Sequence, residues 1–278
     1  MNATRTLAVP GATLHYEVTG TGPVLLVSPS GHNGSRQGVD LARRLADACT
    51  VVTYDRRGLA RSTVDDPGRP VTMAAHVDDA HRLLAAVTDE PAFMLGCSFG
   101  ALIGLHLAAE HPGRLVALVA HEPVAPALLP AAERARRKEE LAHLQRVLRE
   151  KGMAAALAEI AHVLGIDPAR ETEPGLTPHP MTPERAADFR HFVEHDFDAL
   201  LADTFDPRSA LGTGVRVVPA VGRTTPGAVF DRRCAEELAK ALGTEPAEFP
   251  GGHNGDLSHP GAYAARLREV LEPSRATV

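Results

Sequence analysis

Short apolar runs recur along this chain, each followed by a stretch with helical spacing, and that alternation restricts the fold more than any other feature. Val24-Leu25-Leu26-Val27, Thr50 to Tyr54, Phe93-Met94-Leu95 and Leu115 to Ala120 are short for helices and mostly apolar. Such runs suit strands buried on both faces of a sheet. Between them lie Val39 to Ala48, with Leu41 and Leu45 four apart, and Ala74 to Val87, with Val77, Leu84 and Val87 turned inward. Parallel strands need crossover connections and helices supply them, so the pattern predicts a mostly parallel sheet covered on both faces. Thr13 to Val18 alternates and closes on Gly20-Thr21-Gly22-Pro23, which adds an early strand and a turn.

The pattern changes after Pro123. From about Ala131 to Ala202 the sequence is helical and charged, with Leu141, Leu144 and Leu148 marking one face and Phe189, Phe192 and Val193 another. The Pro-rich stretch from Pro168 to Pro183 separates these helices. Alternation resumes at Val215-Arg216-Val217-Val218. A helix near Arg232 to Leu242, a strand near Pro246 to Phe249, a glycine-rich loop and a helix from Tyr263 to Leu271 follow. The spacing predicts one α/β core built from residues 1–123 and 211–278, interrupted by a helical cap at 124–210.

Composition narrows the classes of function. The formal charge is −6, aromatic residues make up 4% and Trp is absent, so no basic footprint or base-stacking platform for nucleic acid is expected. No apolar run approaches the length of a membrane span, and Met1-Asn2-Ala3-Thr4-Arg5 leads directly into a strand-like stretch. A cytoplasmic protein without a membrane partner is the expectation. Cys49, Cys97 and Cys234 are odd in number and widely spaced, which fits neither a disulfide framework nor a zinc pattern.

The chemistry centres on Gly96-Cys97-Ser98-Phe99-Gly100, between an apolar strand and an apolar helix. A serine on such a turn is lifted out of the sheet, and the following helix directs free N–H groups and its positive dipole end at the same spot. Ser98 is the expected nucleophile, with the Phe99 N–H facing a tetrahedral oxyanion. Cys97 is the weaker alternative, since its side chain should point into the core. A serine hydroxyl needs a base. His253, in the loop Gly251-Gly252-His253-Asn254-Gly255 after the last strand, is in the right order along the chain.

With these features the chain resembles the α/β-hydrolase superfamily nearly end to end. The resemblance rests on Ser30-Gly31, Tyr54-Asp55-Arg56-Arg57-Gly58 with Arg61-Ser62, the elbow at Ser98, His121-Glu122-Pro123, and Gly252-His253. It implies an α/β-hydrolase fold with a mostly parallel eight-stranded sheet, a cap inserted after the sixth strand and a Ser–acid–His triad. Gly31 would supply the second oxyanion N–H, and the neighbouring His32 is a candidate substrate contact. The family's acid usually sits in a Gly-x-x-Asp turn after the seventh strand, and here that turn reads Gly222-Arg223-Thr224-Thr225-Pro226. Losing that charge costs about 10⁴ in rate in a serine protease.

Glu122 is the best substitute, because some family members carry their acid after the sixth strand. Asp231 and Asp256 are lesser candidates, and Asp55 is expected to anchor the Arg56-Arg57 turn. His191 and His195 are four apart on a helix but lack the His-Glu-x-x-His order and a third ligand, so no metal is expected. The run Arg134, Arg136, Arg137 and Lys138 reads as a solvated helix face. The expectation is a cofactor-independent serine hydrolase acting on a small-molecule ester, lactone or thioester. Non-hydrolytic acyl transfer, elimination or rearrangement, and a non-catalytic ligand binder, stand as alternatives. A homodimer is left open.

Overall fold

The computed structural model describes residues 3–167 and 172–272. Met1, Asn2 and residues 168–171 of the Pro-rich stretch lie outside the described residues. The sheet opens with a hairpin, β1 (Ala3–Val9) and β2 (Ala12–Thr19), which pairs antiparallel with β4 (Thr50–Tyr54). From there β4, β3 (Val24–Ser28), β6 (Ala92–Cys97), β7 (Leu115–His121), β8 (Arg216–Gly222) and β9 (Ala247–Phe249) run parallel, in that spatial order. These eight strands form the main path, and the two-residue β5 (Thr63–Val64) adds to β2 off that path. This is the α/β-hydrolase architecture expected, with β5 as an addition too short to show in a hydrophobic pattern.

The strands are apolar on both faces because helices cover both. Leu25 and Val27 point to α1 (Val39–Leu45) and α9 (Pro260–Leu271), in a cluster with Leu41, Leu45 and Leu267. Leu26 and Met94 point the other way, toward α2 (Met73–Val87), α3 (Phe99–Glu110) and α8 (Phe230–Leu242). This alternation of side chains along each strand is what makes the runs read as continuous apolar sequence.

Helices fill the segment between β7 and β8: α4 (Ala131–Lys151), α5 (Met153–Val163), α6 (Pro183–His191) and α7 (Phe197–Ala202). Gly152, at φ +82°, separates α4 from α5. A five-residue π-turn, Phe192–Asp196, joins α6 to α7. The basic run on α4 is less solvated than expected. Arg134 donates to the Ala127 and Leu129 carbonyls, and Lys138 donates to Leu201 and Asp203, so both seal ends of neighbouring segments. No helix among the described residues is long and apolar enough to cross a membrane.

Candidate active site

Ser98 sits on the turn between β6 and α3 with φ +53° and ψ −112°, a conformation that side-chain-bearing residues rarely adopt. The flanking glycines are required by contact. A Cβ on Gly96 would lie 2.5 Å from the Gly100 carbonyl oxygen, and one on Gly100 would lie 2.1 Å from that of Ser28. The Ser98 N–H donates to His121 O at 2.9 Å, tying the turn to the end of β7. Phe99 opens α3, so its N–H has no acceptor within the helix. Cys97 is fully buried, and burial pushes its thiol well above the ordinary range, as expected of a core residue and not a nucleophile.

Glu122 directly follows β7, also at positive φ (+43°), with its N–H bonded to Ala220 O at 2.9 Å. His253 comes from the loop after β9. That loop packs against the end of β8 so closely that a Cβ on Gly222 would lie 2.5 Å from the Gly252 carbonyl carbon. The two strand ends bring the side chains together. Glu122 Oε2 lies 2.7 Å from His253 Nδ1, and Glu122 Oε1 accepts the Gly222 N–H at 2.8 Å.

Both groups are buried. Burial alone would raise the Glu122 carboxyl, but the His253 hydrogen bond, the His121 and His253 charges and the Gly222 N–H bring it down to about 2. Burial works against a charged His253, yet the Glu122 hydrogen bond and the Asp231 and Glu122 carboxyls outweigh it and raise its pKa. The acceptor on Nδ1 holds the proton there and leaves Nε2 free to act as base. Ser98 and His253 line one cavity.

The other carboxyls are placed elsewhere. Asp231, on the first turn of α8, lies 3.7 Å from His253 Nε2, on the opposite side of the ring from Glu122. Asp256 faces Cys97 beneath the site, and burial pushes it up to about 6. Asp55 holds the turn through Arg61 and Ser35. The two guanidinium groups of that turn find other carboxylates: Arg57 pairs with Asp79, and Arg56 with Asp196.

Arg56 is a feature that sequence reasoning missed. It is fully buried, donates to the carbonyls of Pro29 (3.0 Å) and Gly31, and pairs with Asp196 at 3.0 Å. His76 Nε2 lies 3.2 Å from the other Asp196 oxygen. The guanidinium also stands over the Phe99 ring at 4.9 Å. One side chain therefore fixes the Gly31 loop, touches the ring after Ser98, and ties the end of β4 to the π-turn between α6 and α7. Asp196 is 140 residues away along the chain, and no local pattern signals the pairing.

Ser98, Phe99, Gly31, His32 and His253 line a cavity of about 250 Å³ whose outer wall comes from α4, α5, α6 and α7. The wall is apolar, with Leu144, Leu157, Ile160, Phe189, Phe192 and Phe197. His32 stands edge-on to Phe189 and within 3.4 Å of Arg185 Nη2. Burial first, then the Arg185 and Arg56 charges, lower its pKa to about 4, so it is neutral near pH 7. His191 and His195 lie with ring centroids 4.6 Å apart, and His191 covers Gly58. Among the described residues no group of three or more His, Cys, Asp or Glu side chains is arranged to hold a metal.

A family model described as the alpha/beta hydrolase fold matches residues 23–152. The uncharacterized hydrolase YraK of Bacillus subtilis (strain 168) is 32% identical over 274 residues, covering 97% of this chain and 96% of that protein. The chain belongs to the α/β-hydrolase family. A hydrolase from Pseudomonas aeruginosa PA01, known as a crystal structure, matches at a TM-score of 0.70 with 25% identity, over 97% of this chain and 98% of its own. The enol-lactonase from Burkholderia xenovorans LB400 shares the α/β-hydrolase fold at a TM-score of 0.69 and 20% identity, over 97% of this chain and all of its own (100%).

Proposed function

We propose that this α/β-hydrolase is a cofactor-independent serine hydrolase that cleaves a small ester, lactone or thioester through an acyl-enzyme on Ser98. The observation that carries this reading is the 2.7 Å contact between Glu122 and His253. An ionised carboxylate there orients the imidazole and stabilises the imidazolium that forms as Ser98 loses its proton. The Phe99 and Gly31 N–H groups receive the oxyanion, a term worth about 10²–10³ in rate for each donor. His253 then protonates the leaving group and activates water. The apolar wall of the cavity favours a hydrocarbon acyl group, with His32 beside it as a substrate contact.

A non-hydrolytic reaction was suggested by the threonines in the turn after β8, where the family usually carries its acid. Glu122 beside His253, at the end of β7, supports the hydrolytic reading over that alternative. A fluorophosphonate probe tests the proposal. It should label the native protein at Ser98 and leave Ser98→Ala unlabelled, and hydrolysis in ¹⁸O-water should place label in the product acid. A folded protein that resists the probe would count decisively against an acyl-enzyme at Ser98.

A further inference from the structure

Most polar side chains among the described residues that line the cavity are already engaged. Ser30 is shared between Asn254 (3.3 Å) and Asn33 (3.4 Å), His32 faces Arg185, and His253 Nδ1 is held by Glu122. Two groups stand apart, the Ser98 hydroxyl and one oxygen of the Asp231 carboxyl. Asp231 is 1% exposed and lines the cavity, and its Oδ1 has no hydrogen-bond partner. Its Oδ2 lies 3.7 Å from His253 Nε2, the nitrogen that must exchange protons with Ser98, with the leaving group and with water. An unpaired buried carboxyl oxygen is costly. Apolar packing alone would favour leucine at this position.

From this arrangement we infer that Asp231 is a water-positioning residue for deacylation, accepting the second O–H of the water whose first O–H points at His253 Nε2. This rests on the acyl-enzyme at Ser98. An ordered water in an apolar cavity needs two or more polar partners, and His253 Nε2 with Asp231 supplies two acceptors on the same side of the imidazole. In the step, the water oxygen bonds to the acyl carbon and its proton passes to His253 Nε2. The bond from that carbon to Ser98 Oγ breaks, and His253 returns the proton to Oγ. Free Ser98 and the carboxylic acid result. Asp231 gains no proton and only holds the second O–H in line. Burial pushes the Asp231 carboxyl up to about 7, and both its charged and neutral forms keep an acceptor oxygen.

The test follows p-nitrophenyl butyrate hydrolysis by stopped flow in the native protein, Asp231→Leu and Asp231→Asn. Loss of p-nitrophenolate needs no proton, so the burst reports acylation and the steady state reports deacylation. Asp231→Leu removes the acceptor, and its deacylation should fall about 100-fold, the scale of a misplaced reactant, at least ten times more than acylation falls. The acyl-enzyme should then accumulate as a butyryl mass adduct on Ser98. Asp231→Asn keeps one acceptor oxygen and should lose only about 10-fold. If the leucine variant does not fold, the asparagine variant still has to show deacylation slowed more than acylation. Equal loss in both phases, or unchanged deacylation, overturns the assignment while leaving Ser98 in place. A native protein that gives no nitrophenolate and takes no fluorophosphonate overturns the acyl-enzyme and this role together.

Discussion

Replacing Glu122 by glutamine changes two atoms' chemistry while keeping the side chain's shape, and the structure dictates which way the amide turns. Oε1 accepts the Gly222 N–H at 2.8 Å, so that position must keep an acceptor, since an NH₂ there would meet a donor head-on. The amide NH₂ is therefore forced toward His253 Nδ1, where the carboxylate oxygen stood at 2.7 Å. His253 must then accept at Nδ1 and carry its proton on Nε2, the tautomer that cannot take a proton from Ser98. The same inversion in a serine protease costs about 10⁴ in kcat, roughly 5.4 kcal/mol of transition-state stabilisation. We expect a fall of that order in p-nitrophenyl butyrate turnover and in the rate of fluorophosphonate labelling, with the circular dichroism spectrum unchanged. A Glu122→Gln variant keeping more than a tenth of native kcat would refute the reasoning, and would mean that another carboxyl supports His253.

Two further outcomes follow from buried charges. Arg56→Met strands Asp196 with His76 as its remaining partner and frees the carbonyls of Pro29 and Gly31. Breaking a buried pair costs about 3–5 kcal/mol, readable as a shift in the urea midpoint, and turnover should fall further because the Gly31 loop loses its anchor; an unchanged midpoint would contradict this. Asp231 carries the opposite sign to a paired carboxylate. Its folded pKa is raised from 3.8 to about 7, so the native state holds a proton that the unfolded chain releases, and native stability declines as pH rises from about 4 to about 7. Asp231→Asn escapes that penalty, which is on the order of 4 kcal/mol when complete, and should gain on the native protein between about pH 4 and about pH 7 and level off above that in urea titrations; a pH-independent difference would sink the idea.

Much of this protein was legible as sequence. The apolar runs determined a buried parallel sheet, because only a strand covered on both faces tolerates successive apolar residues. Gly96 and Gly100 marked the elbow, because each approaches a backbone oxygen too closely for any Cβ. Ser98 and His253 followed from local signals, a strand-turn-helix and a loop after the last strand. The third partner did not. Thr224 and Thr225 stand where the family usually places an acid, and sequence alone left Glu122, Asp231 and Asp256 in competition. The structure sets the three apart by where each carboxyl points, and that depends on how the ends of β7, β8 and β9 stack. Glu122 faces Nδ1, Asp231 lies near Nε2, and Asp256 turns down toward Cys97. The Arg56–Asp196 pair was likewise invisible, since it joins residues 140 apart through a π-turn that no periodicity reveals. Sequence determined what must be buried and where the backbone must be bare of side chains. Which charge meets which nitrogen is a long-range contact, and only the packed tertiary structure could decide it.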